Sequence, residues 1–388
     1  MRVAVITRYF PSSHEPWAGH SAYETLRILA KECDLKVFYP ESRYPPLLTP
    51  GSRAGREIDL NYRVDGVEVK YIPYPALPAI SRPLNGFSAS RSILSSVRAY
   101  RPDIILNYVV YPDGDAAFRV AKALQVPYVV TAIGSDLNLI PDRICGWLTR
   151  RVLRTADHTI TVSGDLLKTA RRLGAPVERS SAILNGCNTS IFRPCDRGSA
   201  RSFLGLPLDK EAVVYVGRLD MAKGLGELVA AVAKLRERRP RLHAWIVGDG
   251  PARQQLADAI AAHQIEDRVS FVPACSSDKI ATWMAASDLI TLPSYREGCP
   301  NVVVEALASG RPVVATNVGG IPELMDNSSG RLIPARDAEA LAEALNQTLS
   351  QTWDPTESAR RHSRSWTDVS EEVGAILSDC LKRTGSRR

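Results

Sequence analysis

The stretch from Asp288 to Gly310 reads as a short buried strand, a loop and a helix in direct succession. Residues 288–292 form an apolar run, and residues 293–298 leave it as a loop. Pro300 suits the first turn of a helix, Val302 to Leu307 supplies its apolar face, and Gly310 fits the position just past its end. The same alternation recurs along the chain, the pattern of doubly wound α/β domains. Strands are expected at 2–7, 34–39, 67–71, 103–107, 128–132 and 158–162, with helices at 21–31, 114–124, 145–154 and 164–173. In the second half strands are expected at 212–216, 243–247, 269–272, 289–292, 313–315 and 330–333. Pro40, Pro45, Pro46, Pro50 and Gly51 mark residues 40–63 as a mobile loop. A hinge is expected between Leu184 and Leu206.

The amides near Asn301 and Val302 open their helix and have no partner within it, so they point at the loop mouth, where a phosphate can accept them. Such an end contributes only about 0.3–1 kcal/mol toward an anion at an exposed site, so cations are required nearby. A second strand, residues 211–216, supplies them through the turn Gly217-Arg218-Leu219-Asp220-Met221-Ala222-Lys223-Gly224. Arg218 can fork two N–H bonds onto a phosphate, and Lys223 adds a mobile point charge, a pairing suited to a diphosphate.

Gly217-Arg218 with Lys223-Gly224, Gly248-Asp249-Gly250, Glu297 with Glu305, and Ala315 through Glu323 follow in an order and spacing that resembles the nucleotide-sugar half of retaining GT-B glycosyltransferases of family 4 (glycosyl transferases group 1). The resemblance implies two Rossmann-like doubly wound α/β domains facing a central cleft. It places residues 1–188 in an acceptor-side domain, 189–363 in a nucleotide-sugar domain, and 364–388 in a helix crossing back to the first. Carried over by position, Arg218 and Lys223 grip the donor diphosphate, the Asn301 and Val302 amides reach it, Glu305 takes the ribose hydroxyls, and Glu297 takes hydroxyls of the transferred sugar. Gly19, Gly217, Gly248, Asp249, Gly298, Cys299 and Pro300 complete the implied donor site. The assignments fit the charges: breaking the anomeric carbon–oxygen bond leaves negative charge on the diphosphate and positive charge on the ring.

The amino-terminal half departs from the family pattern in two places. Only Gly19-His20 stands where a Gly-Gly pair is common, and His20 is either a phosphate or acceptor ligand or a plain loop histidine. Ile133 replaces a frequent sugar-contacting histidine and makes no hydrogen bond, so either Ser135 or Asp136 takes over that contact or the sugar binds differently.

Across 388 residues, 45% are hydrophobic and 23% charged, enough for two domains with separate cores. No apolar run reaches the roughly 18–20 residues of a spanning helix, and residues 1–8 read as a first strand rather than a signal peptide. Seven scattered cysteines without a C-x-x-C pair read as reduced thiols, which favours the cytoplasm and gives no support for structural zinc. Cys299 reads as a packing residue rather than a nucleophile. Residues 1–190 carry a net charge of +7 and the remainder zero. Much of the excess lies in residues 143–154, either a basic amphipathic helix touching an anionic membrane or an ordinary surface helix. No basic stripe with interleaved aromatics points to nucleic acid.

The expected activity is therefore retaining transfer from a nucleotide-sugar, with the resemblance favouring a UDP-sugar over GDP-mannose. The expected acceptor is a saccharide or lipid-linked hydroxyl in bacterial surface polysaccharide or glycolipid assembly, with no metal or other cofactor and a cytoplasmic or inner-membrane-face location. Competing readings are a nucleotide-sugar hydrolase or epimerase on the same fold and a non-catalytic nucleotide-sugar-binding subunit. A nicotinamide-dependent dehydrogenase is disfavoured, because the turn after Thr7 lacks G-x-G-x-x-G.

Overall fold

The computed structural model describes residues 1–45, 59–77 and 81–385. It divides into two units, Met1–Leu184 with the segment from Trp366 onward, and Asn185–Ser365. Each is a parallel sheet layered by helices, so the chain holds two Rossmann-like α/β domains.

The first unit carries seven strands: β1 Arg2–Ile6, β2 Asp34–Arg43, β3 Glu68–Pro75, β4 Ile104–Tyr108, β5 Tyr128–Ala132, β6 His158–Thr161 and β7 Ser180–Ala182. Their order is β3-β2-β1-β4-β5-β6-β7. Alternate residues of each strand face opposite layers. Val3 and Val5 join a core with Leu26 and Leu29 of helix His20–Leu29 and Val373 and Leu377 of helix Trp366–Gly385. Ala4 and Ile6, equally buried, face the other layer. There helices Asn85–Tyr100, Asp113–Leu124 and Arg143–Thr155 pack side by side.

Three elements differ from the sequence reading. Pro40 lies inside β2 rather than in a loop, because β1 pairs only with residues 34–38 and, among the described residues, the last part of β2 pairs only with β3. A strand with one free edge tolerates a missing N–H. Of the rest of the expected loop, residues 46–58 lie outside the described residues, and residues 59–62 form a turn in which the Tyr62 amide donates to the Asp59 carbonyl at 3.1 Å. Helix Asn85–Tyr100 was hidden by Gly86 and five serines, and tertiary packing overrides that weak propensity. Gly86 fits closely there, since a Cβ on it would lie 2.5 Å from the Asp115 carboxylate. The three-residue β7 was too short to show a pattern.

The second unit carries β8 Glu211–Val216, β9 Leu242–Val247, β10 Val269–Val272, β11 Leu289–Leu292, β12 Val313–Thr316 and β13 Gly330–Ile333, in the order β10-β9-β8-β11-β12-β13. Its core is continuous from Val213 and Ile246 to Val303, Leu307 and Leu341. Among the described residues no helix is long and apolar enough to cross a membrane.

Candidate active site

In the second unit the strand order reverses between β8 and β11. Open α/β sheets bind ligands beyond the carboxyl ends of the strands at such a point. The loops leaving these two strands are locked together. The Tyr295 amide donates to the Ala222 carbonyl at 2.9 Å. A Cβ on Gly224, whose φ is 69°, would lie 1.9 Å from the Pro293 carbonyl oxygen, so only glycine permits the approach. The loop after β12 joins them, with the Gly320 amide donating to the Gly298 carbonyl at 2.8 Å. A Cβ on Gly319 would lie 1.9 Å from the Glu297 carbonyl oxygen.

Gly217 and Gly248 follow β8 and β9, and the Gly217 amide donates to Val247 at 3.0 Å. The Asp249 carbonyl accepts the Leu219 amide, and its carboxylate accepts the Ala274 amide, both at 3.0 Å. Asp249 thus braces neighbouring loops with both its backbone and its side chain.

Lys223 closes a 3-10 turn that Asp220 caps through the Ala222 amide at 3.0 Å. Its Nζ donates to Glu297 Oε1 at 2.7 Å, joining the cation expected at the diphosphate to the carboxylate expected at the sugar. The Arg218 side chain is exposed, while its carbonyl accepts the Tyr215 hydroxyl at 2.9 Å.

Helix Asn301–Ala308 starts after Pro300 without a side-chain cap, which leaves the first amides without intrahelical partners. Asn185, within the expected hinge, pins this start. Its Nδ2 donates to the Cys299 carbonyl at 2.9 Å and to Asn301 Oδ1 at 2.8 Å. Its amide donates to Cys299 Sγ at 3.3 Å. Burial pushes the Cys299 thiol up to about 12, so it stays protonated and packs. Glu305 lies one turn into the helix. Although the residue keeps part of its surface, burial of its carboxyl pushes the pKa up to about 7. Tyr295 was also missed: its hydroxyl donates to Glu227 at 2.7 Å, and Arg336 stacks over its ring at 4.2 Å.

In the first unit the order reverses between β1 and β4. Gly19, with φ 64°, precedes the helix that His20 begins. The His20 ring packs edge-on against Trp366, centroids 6.1 Å apart, and burial lowers its pKa. The Asp136 carboxylate accepts the amides of Val110 at 2.9 Å, Gly134 at 2.9 Å and Ile133 at 3.1 Å, so it shapes its own loop. Ser135 is exposed beside it, and Ile133 packs against the core. Sequence reading missed Arg8 and Asp113. The Arg8 amide donates to Asp113 Oδ2 at 2.6 Å. Burial pushes the Asp113 carboxyl up to about 6 despite the attraction of Arg8.

The second unit thus brings Lys223, Glu297, Gly298, Cys299, Pro300, Asn301, Val302 and Glu305 onto one interlocked set of loops and a helix start, with Arg218 and Gly217 on the loop that carries Lys223. Known proteins match this arrangement. A family model described as "Glycosyl transferases group 1" matches residues 210–351, and one described as "Glycosyl transferase 4-like domain" matches residues 23–186. A Bacillus subtilis protein assigned as the teichuronic acid biosynthesis glycosyltransferase TuaC is 33% identical over 374 residues, covering 92% of this chain and 91% of that one. A D-inositol 3-phosphate glycosyltransferase of Streptomyces bingchenggensis is 36% identical over 383 residues, covering 89% and 81%. The fold is shared with sucrose-phosphate synthase of Thermosynechococcus elongatus, at TM-score 0.78, 20% identity and coverage of 99% and 100%. It is also shared with Anabaena Alr3699/HepE solved with UDP, at 0.76, 19%, and 98% and 100%. With both halves matched in order and a relative aligned over nearly the whole length, the chain belongs to the group 1, family 4 glycosyltransferases of the GT-B fold.

Proposed function

We propose that this enzyme moves a sugar from a nucleoside-diphosphate sugar to an acceptor hydroxyl with retention of anomeric configuration. The observation that carries the reading is the Lys223–Glu297 contact at 2.7 Å beside the uncapped start of helix Asn301–Ala308. It sets a cation, free amides and a carboxylate within one group of loops, the charge pattern that departure of a diphosphate from a sugar demands. In this reading Arg218, Lys223 and the amides of Asn301 and Val302 receive the charge that develops as the anomeric carbon–oxygen bond breaks. Glu297 orients the sugar, and Glu305 takes the ribose hydroxyls. The acceptor hydroxyl attacks from the face the phosphate leaves, and its proton passes to the departing phosphate oxygen.

A UDP-sugar is the favoured donor, in keeping with the UDP and UDP-glucose bound in HepE. A saccharide or lipid-linked acceptor in surface polysaccharide assembly is favoured by the similarity to TuaC. The proposed location is the cytoplasm, with a lipid-linked acceptor favouring its peripheral inner-membrane face. Two cations supply the charge neutralisation without a metal, so transfer should survive EDTA.

The test is a thermal-shift screen of nucleoside diphosphates and nucleotide-sugars, followed by NMR of the product's anomeric configuration. A binding donor at 100 times its Kd adds about 2.7 kcal/mol of stability. Stabilisation by UDP-sugars and a product of retained configuration is expected. An inverted product, or release of free sugar unaffected by any acceptor, would overturn the reading.

A further inference from the structure

We infer that the second unit carries a further ligand site, for a phosphorylated sugar, in a cavity at the amino ends of β8, β11 and β12. The loops that carry Lys223 and Glu297 leave the carboxyl ends of these strands, and the six residues of β8 put roughly 20 Å between its two ends. The cavity measures about 790 Å³, within the roughly 300–1,000 Å³ of small-molecule sites. Glu211 at the start of β8, Asp288 just before β11 and Arg311 two residues before β12 line it, together with Arg197, Arg201 and Thr348.

Arg311 is only 7% exposed, yet among the described residues its side chain forms no ion pair. Its guanidinium donates to two carbonyls, Cys195 at 3.0 Å and Ser287 at 3.4 Å, and its Nε has no partner. The carboxylates on the cavity wall are engaged elsewhere. Asp288 accepts from Arg197, from Arg201 at 2.7 Å and from the Ala212 amide at 2.6 Å. Glu211 pairs with Arg239 at 3.0 Å, and Asp196 accepts the Ser199 amide at 2.8 Å. Burial lowers the Arg311 pKa, and Arg197 and Arg201 lower it further against the attraction of Asp288. The end of helix Asn301–Ala308, where the Arg311 amide donates to Ala306 at 2.9 Å, offers only partial charge.

Buried charges are ordinarily paired. The anion that suits this guanidinium is a phosphate, whose oxygens accept a fork of N–H donors and leave another edge for Arg197. Two further groups of the wall define the rest of the ligand. Glu211 Oε2 and Thr348 Oγ1 are buried without a hydrogen-bond partner. A carboxylate oxygen accepts and a hydroxyl does either, so a body rich in hydroxyls satisfies both. Buried polar groups without partners are uncommon, and three residues of one cavity wall carry them. A sugar phosphate unites the anion and the hydroxyls in one molecule.

The experiment is calorimetric titration of the full chain, free of nucleotide, with glucose 6-phosphate, inorganic phosphate and glucose. Affinity is expected to fall in that order. Arg311→Met should weaken glucose 6-phosphate at least about tenfold, the value of hydrogen bonds to a charged group, and Arg197→Gln about fivefold. Thr348→Val should weaken glucose 6-phosphate about fivefold and leave inorganic phosphate unchanged. Arg197 is exposed and the Thr348 hydroxyl has no partner to lose, so these two variants test the site even where a thermal melt shows Arg311→Met unfolded. Lys223→Ala should leave binding at the cavity unchanged. Glucose 6-phosphate that fails to bind, or that binds Arg311→Met and Arg197→Gln like the wild type, would overturn the inference. So would binding lost in Lys223→Ala alone, which would assign the phosphate to the loops at the other end of the sheet. Inorganic phosphate bound as tightly as glucose 6-phosphate, or a Thr348→Val variant that holds glucose 6-phosphate undiminished, would overturn the choice of a sugar phosphate. None of these titrations depends on sugar transfer, so the site stands or falls apart from the proposed reaction.

Discussion

The two units share a topology but treat their polar groups at the switch point in opposite ways. In the second, Arg218 is exposed, Lys223 and Glu297 meet across two loops, and the start of helix Asn301–Ala308 carries no side-chain cap. In the first, Asp136 is taken up by three amides, Asp113 by Arg8 and Thr7, and His20 by the Trp366 ring. One rim is preorganised to meet an outside charge, and the other directs its polar groups to holding its own loops. The same fold therefore supports two styles of rim, seen most plainly in Glu297, which faces a cation across two loops, and Asp136, whose carboxylate is held by backbone amides.

Substitutions that strike each rim should separate the two styles. The largest effect on turnover is expected from Lys223→Ala, a loss of about 10²–10³ in kcat with a small change in melting temperature, as for other preorganised charge stabilisers. Undiminished transfer would remove Lys223 from the reaction. Asp136→Ala should do the reverse. It leaves three amides without their acceptor and should cost about 2–4 kcal/mol of stability, seen in urea unfolding. A variant as stable as the wild type would show that the loop holds without its clamp.

Glu305→Gln sharpens the comparison through pH. The folded carboxyl has a pKa raised to about 7, so its ionised form disfavours the fold, and that penalty grows as pH rises from the unfolded value to about 7 and stays constant above it. Removing the charge should raise the melting temperature at pH 8. In the proposed role, ribose hydroxyls bonded to the carboxylate would favour its ionised form, so nucleotide binding should tighten as pH rises toward 7, about tenfold per unit below it. Calorimetric titrations of Glu305→Gln should show a flat profile. A wild-type profile equally flat would detach Glu305 from the ribose. The smallest effect is expected at Cys299, where Ser keeps an acceptor for the Asn185 amide and should lower stability by about 1 kcal/mol while leaving turnover intact.

The second unit was legible in the sequence because its function depends on local patterns. A glycine needed for a close approach, a proline opening a helix and cations just after a strand all leave marks within about ten residues. Asn185 left none. It lies more than a hundred residues from Cys299 and Asn301, and only the folded chain brings them together. The first unit was less legible for the same reason. The three amide donors that hold the Asp136 carboxylate cannot be foreseen from a sequence, and the serine-rich helix Asn85–Tyr100 is held by packing rather than propensity. The proline in β2 was misplaced because the tolerance of one position depends on how far a neighbouring strand extends.

The helix Trp366–Gly385 completes the core around Val3, Leu26 and Leu29, although it is synthesised after the whole of the second unit. On the ribosome, the order of emergence and the order of completion are therefore reversed. Residues 185–365 form a contiguous stretch that can close its own core, while the earlier unit waits with Leu26 and Leu29 uncovered until Val373 and Leu377 emerge. A nascent chain halted before Trp366 is exposed to chaperones and proteases on its oldest part rather than its newest.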